Sequence, residues 1–379
     1  MDFNSFIESL SNAFAHPGPL WILPFLAYPV MYVTTYTSAN RLRKKINYNK
    51  YTLRRDYKNK GIKTIDLPPE VVSGSLTIDE KEVLKKQYGE FILEFNKIIT
   101  STFPKEYLKF YFNNIDSVNV KNFRYVKDII LDGTTNRGEY YVKRNEITLK
   151  KGMNEIRRVI FHELLHLASA FYDKKRDISF CGFSQDNLKT KQSIGNGLNE
   201  GYTEYLTTKY FNNGDPSGAA YSFEISIVQK LEKIIGSDVM EKLFFNADLN
   251  GLVVKLKEYA LVEEIYDFIA KLDLYKEYNL KTKRENLIQP MRDVVKFLYK
   301  ISFRKKMKDL YRPAEKEDFD RLFNEVSNDI GYYCITEKNG KITDISNNIL
   351  FCSSINECLK EMGYTWIFIE PKQVEIKKK

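Results

Sequence analysis

Residues 161–170 read FHELLHLASA, and they contain two of the chain's three histidines, His162 and His166, with Glu163 between them. A helix sets residues i and i+4 on one face about one turn apart, so the two imidazoles can converge on a single ion. Glu163, one position along, then flanks that face beside the ion's open position. This is the geometry of a zinc hydrolase. The surrounding run MNEIRRVIFHELLHLASAFYD, residues 153–173, is expected to be one long helix. Ile156, Val159, Ile160, Leu164, Leu167 and Phe171 recur at helical spacing and bury one side of it, with the histidines near the boundary of that side.

Zinc sites that catalyse hydrolysis use three protein ligands and keep a fourth position open. His16, far upstream in an apolar leader, is a poor third ligand. A better source is GLNEGYTEYLTTKYF, residues 197–211, where Glu200 and Glu204 are again four apart on an expected helix. One of these carboxylates ligates and the other orients a ligating histidine.

These residues resemble the gluzincin metallopeptidases, the zincin subgroup with two histidines and a glutamate on zinc, over about residues 138–245. The resemblance implies an α+β fold with a zincin-like metallopeptidase core, a mostly helical C-terminal region and one Zn2+ per chain. It also implies that Asn199-Glu200-Gly201 supplies Glu200 as third ligand and that Glu204 accepts a hydrogen bond from a zinc-bound histidine. The metzincin pattern, with a third histidine and a glycine soon after the first pair, is absent.

The expected activity is that of a zinc-dependent metallopeptidase, with Glu163 as general base taking a proton from water and passing it to the leaving amine. An oxyanion donor is also needed. In zincins a tyrosine or histidine often serves, and with no histidine left the candidates are Tyr221 in GAAYSFE and Tyr202 beside Glu200. By the same resemblance EYYVKRNEITL, residues 139–149, matches the edge strand that pairs with extended substrate, with Asn145, Ile147 and Leu149 in its best section. No glycine-rich exopeptidase motif lies upstream, which points to an endopeptidase rather than an aminopeptidase. A non-catalytic binding or regulatory protein on a zincin scaffold is the alternative. The intact Glu163 opposes it, since a structural zinc gains nothing from a base at its open position.

Composition bounds the rest. With 379 residues, 43% hydrophobic and 14% aromatic, the chain can bury a large core. Its formal charge of +9 arises from 59 basic and 50 acidic residues spread along the sequence without an isolated basic arm, so nucleic acid is not expected, while the resemblance implies a peptide or protein substrate as partner. The four cysteines form no C-x-x-C pair, which suggests neither a zinc ribbon nor a disulfide framework. Residues 18–37 carry no charge and precede RLRKK. They read either as a single membrane span with the enzyme on the cytoplasmic face, interrupted by Pro24 and Pro29, or as an apolar segment docked on a cytoplasmic protein. Four sections follow: an N-terminal segment and loose basic linker (1–74), an α+β core (75–215), a helical subdomain (216–315) and a small α/β region (316–379).

Overall fold

Every residue from Val159 to Ala168 is buried, the two histidines and Glu163 included. A helix covered on all sides belongs in the interior. The expected one-sided burial is therefore corrected. The computed structural model describes residues 63–68, 77–122, 137–150, 152, 155–215, 217–280, 288–312, 314–331, 335–338, 341–344, 348–363, 366–370 and 373–376.

Helices α1 (Glu80–Leu84), α2 (Gly89–Thr102) and α3 (Lys109–Ile115) precede strands β1 (Asn119–Asn122), β2 (Gly138–Tyr141) and β3 (Glu146–Leu149). Next come the histidine helix α4 (Ile156–Ala168) and strands β4 (Ala170–Asp173), β5 (Ile178–Cys181), β6 (Ser184–Asn187) and β7 (Gln192–Ile194). Helix α5 (Asn196–Leu206) carries Glu200 and runs into a π-helical turn, Thr207–Phe211. Then follow α6 (Ser222–Ile235), α7 (Ser237–Phe245), α8 (Leu249–Leu256), α9 (Val262–Leu280), α10 (Ile288–Asp309) and α11 (Lys316–Ile330). The hairpin of β8 (Ile335–Lys338) and β9 (Lys341–Asp344), helix α12 (Asn348–Glu361), and the hairpin of β10 (Trp366–Glu370) and β11 (Gln373–Ile376) complete the chain. The class is α+β.

The first sheet has the order β1-β3-β2, with β1 parallel and β2 antiparallel to β3. The second is an antiparallel meander, β4-β5-β6-β7. It replaces the last part of the expected long helix. Ser169 turns its hydroxyl back to the Leu165 carbonyl at 2.9 Å, and Phe171 pairs with Phe180 across β4 and β5 instead of continuing the helical stripe. The stretch DISFCGFSQ thus forms the β5–β6 hairpin beside the site.

A cluster of aromatic rings packs α4 against its neighbours. Phe95 of α2 lies 5.7 Å from Phe161 of α4 and 4.7 Å from Phe211 of the π turn, centroid to centroid. Tyr57–Lys379 forms one unit, and one hydrophobic cluster within it runs from Val83 to Leu359. The expected divisions at 215 and 315 therefore cut through one core. Residues 63–68, expected within the loose linker, are pinned instead. The Ile65 N–H donates to Gln185 Oε1 at 2.8 Å while Gln185 Nε2 donates to the Ile65 carbonyl at 2.9 Å. Residues 18–37 and His16 lie outside the described residues; among the described residues no helix is long and apolar enough to cross a membrane.

Candidate metal centre

Helices α4 and α5 pack side by side, and three of their ligand atoms meet. His162 Nε2 lies 3.1 Å from His166 Nε2 and 3.3 Å from Glu200 Oε2, and His166 Nε2 lies 3.6 Å from the same oxygen. Ligands about 2.05 Å from a tetrahedral zinc stand about 3.3 Å apart along each edge. The observed triangle has about the dimensions of one face of such a tetrahedron.

The opposite ring nitrogens explain why both Nε2 atoms face inward. His162 Nδ1 lies 2.6 Å from Glu204 Oε2, which sets the proton on Nδ1 and leaves the Nε2 lone pair free. The other Glu204 oxygen accepts from Arg158 Nη2 at 2.6 Å and from the Ala220 N–H at 3.0 Å. His166 Nδ1 lies 3.4 Å from Thr203 Oγ1, whose own hydroxyl donates to the Asn199 carbonyl and so keeps a lone pair for the imidazole. Cys181 Sγ and Asn199 Nδ2 complete its surroundings at 3.5 and 3.3 Å. Gly182, at φ +51°, lets the β5–β6 hairpin press on this group: a Cβ there would fall 2.3 Å from Asn199 Oδ1. Glu204 thus orients the His162 ring and Thr203 that of His166.

The charged groups at the meeting point are tightly coupled. Burial works against a charged His162, yet hydrogen bonds to Glu200 and Glu204 outweigh it and push the imidazole up to about 10. Burial holds His166 below its ordinary value. Burial also opposes ionisation of Glu200, but Lys276 and the two histidines hold its carboxyl well below the usual range. A divalent ion satisfies the carboxylates as one protonated ring does, and it also engages both lone pairs. The donor set fits zinc.

Glu163 stands beside this corner against β2. Burial pushes its carboxyl up to about 8, and the Tyr140 backbone N–H donates to it. A Cβ at Gly138 would lie 2.8 Å from both Glu163 Oε1 and Val159 Cγ1, so only glycine fits there without moving the carboxylate. β2 is the edge of its sheet among the described residues. The expected substrate strand is corrected accordingly. Ile147 and Leu149 are fully buried on β3, which is paired on both sides and has no backbone edge for a peptide. Asn145 is a left-handed turn residue that donates to the Asn114 carbonyl and accepts from the Tyr140 hydroxyl.

Tyr221 comes to the site: its ring lies 6.3 Å from that of His162, nearly parallel, at the left-handed start of α6. Tyr202 points away, and its hydroxyl donates to Glu232 at 2.7 Å in the core. Three further residues were missed. Arg158, one turn before His162 on a buried helix, was legible as a charge needing a partner. Lys276 of α9, donating to Glu200 Oε1 at 2.7 Å, belongs to no motif. Glu224, whose two buried oxygens have no hydrogen-bond partner among the described residues, reads as an ordinary helix carboxylate. No protein-family model matches the chain, and comparisons with curated proteins and with solved structures found no match.

Proposed function

We propose that this protein is a zinc-dependent endopeptidase of the gluzincin kind, with a zincin-like core, acting on an extended stretch of peptide or protein. The observation that carries the proposal is the triangle of His162 Nε2, His166 Nε2 and Glu200 Oε2, whose sides match one face of a tetrahedral zinc site. Zinc held there supplies Lewis-acid polarisation of the scissile carbonyl and acidifies a water.

The chain's own residues do the rest. Glu163, beside the corner where the ligand atoms meet, accepts a proton from the attacking water and delivers it to the departing amine. Glu204, itself held by Arg158, keeps His162 in the Nδ1–H form. The Tyr221 hydroxyl donates to the oxyanion that forms on the carbonyl. The edge of β2, unpaired among the described residues and beside Glu163, adds the peptide as a further strand and sets its scissile bond against the carboxylate.

The test is digestion of an unfolded protein and a peptide library, with products read by mass spectrometry. Cleavage that stops with chelator, returns with zinc and falls about 10²–10⁴-fold in Glu163→Gln is expected. A zinc-loaded protein that cleaves nothing would instead be a non-catalytic metal-binding protein.

A further inference from the structure

Helix α5, which carries Glu200, is seated by a single turn of α9 more than seventy residues further along the chain. Its first turn has no side-chain cap of its own, because the N-cap position is Gly195. Asp273 supplies one from outside, accepting from the Gly195 N–H at 2.8 Å and the Gly197 N–H at 2.7 Å. The helices touch there almost backbone to backbone: a Cβ at Gly197 would fall 2.8 Å from both the Leu272 carbonyl oxygen and its Cγ. Three residues beyond Asp273, Lys276 reaches the residue three beyond Gly197, and its Nζ donates to Glu200 Oε1 at 2.7 Å.

The two oxygens of Glu200 are therefore divided between the histidine pair and an ammonium. Oε2 faces the histidine nitrogens at 3.3 and 3.6 Å, while Oε1 is held by an ammonium whose side chain is only 13% exposed. Lys276 Nζ also lies 5.5 Å from the centre of the Tyr221 ring, which limits where else the ammonium can go. A carboxylate can bind a metal through one oxygen or both, and two-oxygen binding would fill the position a hydrolytic site keeps open. A charge-assisted hydrogen bond in a mostly buried setting is strong enough to bias that choice.

We propose that Lys276 is a positioning residue that restricts Glu200 to one-oxygen coordination, so that a coordination position stays free for the reacting water. This rests on the metallopeptidase reading above. Asp273 sets the register of α9 on α5, and Lys276 uses that register to hold the ligand's second oxygen away from the metal.

The experiment compares the full chain with Lys276→Met, Lys276→Gln and Lys276→Arg, each loaded separately with zinc and with cobalt(II). Metal per chain, the cobalt visible spectrum, and kcat and KM on a peptide that the parent cleaves are recorded. All four proteins should retain metal. Lys276→Met and Lys276→Gln should show a severalfold weaker cobalt band, as four-coordinate geometry gives way to five, with kcat down about tenfold or more and KM nearly unchanged. Lys276→Arg should recover both properties. Folded, metal-loaded Met and Gln variants with the parent's spectrum and kcat would overturn the role of Lys276 and leave the metal site standing. A parent chain that binds no metal would overturn the metallopeptidase reading itself, and this inference with it.

Discussion

His162 Nδ1 and Glu204 Oε2 stand 2.6 Å apart, both residues buried, and Arg158 closes the chain by donating to the other carboxylate oxygen at 2.6 Å. The guanidinium fixes the carboxylate, the carboxylate fixes the ring, and the ring presents Nε2 to the metal position. Replacing Glu204 by glutamine should weaken zinc binding about 10- to 100-fold, the usual effect of losing such a support. Competition against a calibrated chelator reads it directly. Unchanged affinity would mean that α4 packing alone orients His162.

Gly138→Ala separates the base from the metal. The new methyl would meet Glu163 Oε1 and Val159 Cγ1, each at 2.8 Å, and the carboxylate end is the part able to yield. Zinc content should stay at the parent level while kcat falls, by up to about 10²-fold for a displacement near 1 Å. Parent-level turnover in the alanine variant would show that Glu163 is not needed where it now lies.

Asp273→Ala tests the clamp on α5. It leaves the Gly195 and Gly197 N–H groups without their carboxylate. Unfolding in urea should show a loss of about 3 kcal/mol, the expected cost of stranding buried donors. A loss under about 0.5 kcal/mol, the range of an ordinary surface change, would contradict it.

Glu224 should make stability depend on pH in an unusual direction. Burial pushes its carboxyl from an ordinary 4.5 up to about 7, and no other described residue hydrogen-bonds to either oxygen. The folded chain thus binds this proton more tightly than the unfolded chain. Its contribution to stability is fully present below about pH 4.5, declines as pH rises, and is gone above about 7. Glu224→Gln, which imitates the protonated group, should match the metal-free parent near pH 4.5 and exceed it by about 3 kcal/mol above pH 7.5. Denaturant titrations across that range would refute this if the difference between the two proteins stayed constant.

What the sequence disclosed follows periodicity and chemical type. His162 and His166 are one helical turn apart, as are Glu200 and Glu204, so each pair could be read from spacing, while the joining of Glu200 to the histidines was implied by the resemblance. The α+β class and most helices follow from the same periodicities. The end of α4 could not be read this way, because Ala170–Asp173 suits helix or strand and pairing with β5 decides between them. The centre of the first sheet was equally hidden. Pairing with the parallel strand β1 makes β3 internal and leaves β2 at an edge among the described residues. Lys276 was invisible for a different reason: its role depends on where α9 lies against α5, which no local spacing encodes.

The most direct test of the metal centre is zinc content by elemental analysis on the purified parent, Glu163→Gln and Glu200→Gln. About one zinc per chain is expected in the parent and in Glu163→Gln, with most of it lost in Glu200→Gln. A folded parent that takes up no zinc in chelator-free buffer would contradict the account. His162, His166 and Glu200 would then be a buried ion-pair cluster between two helices.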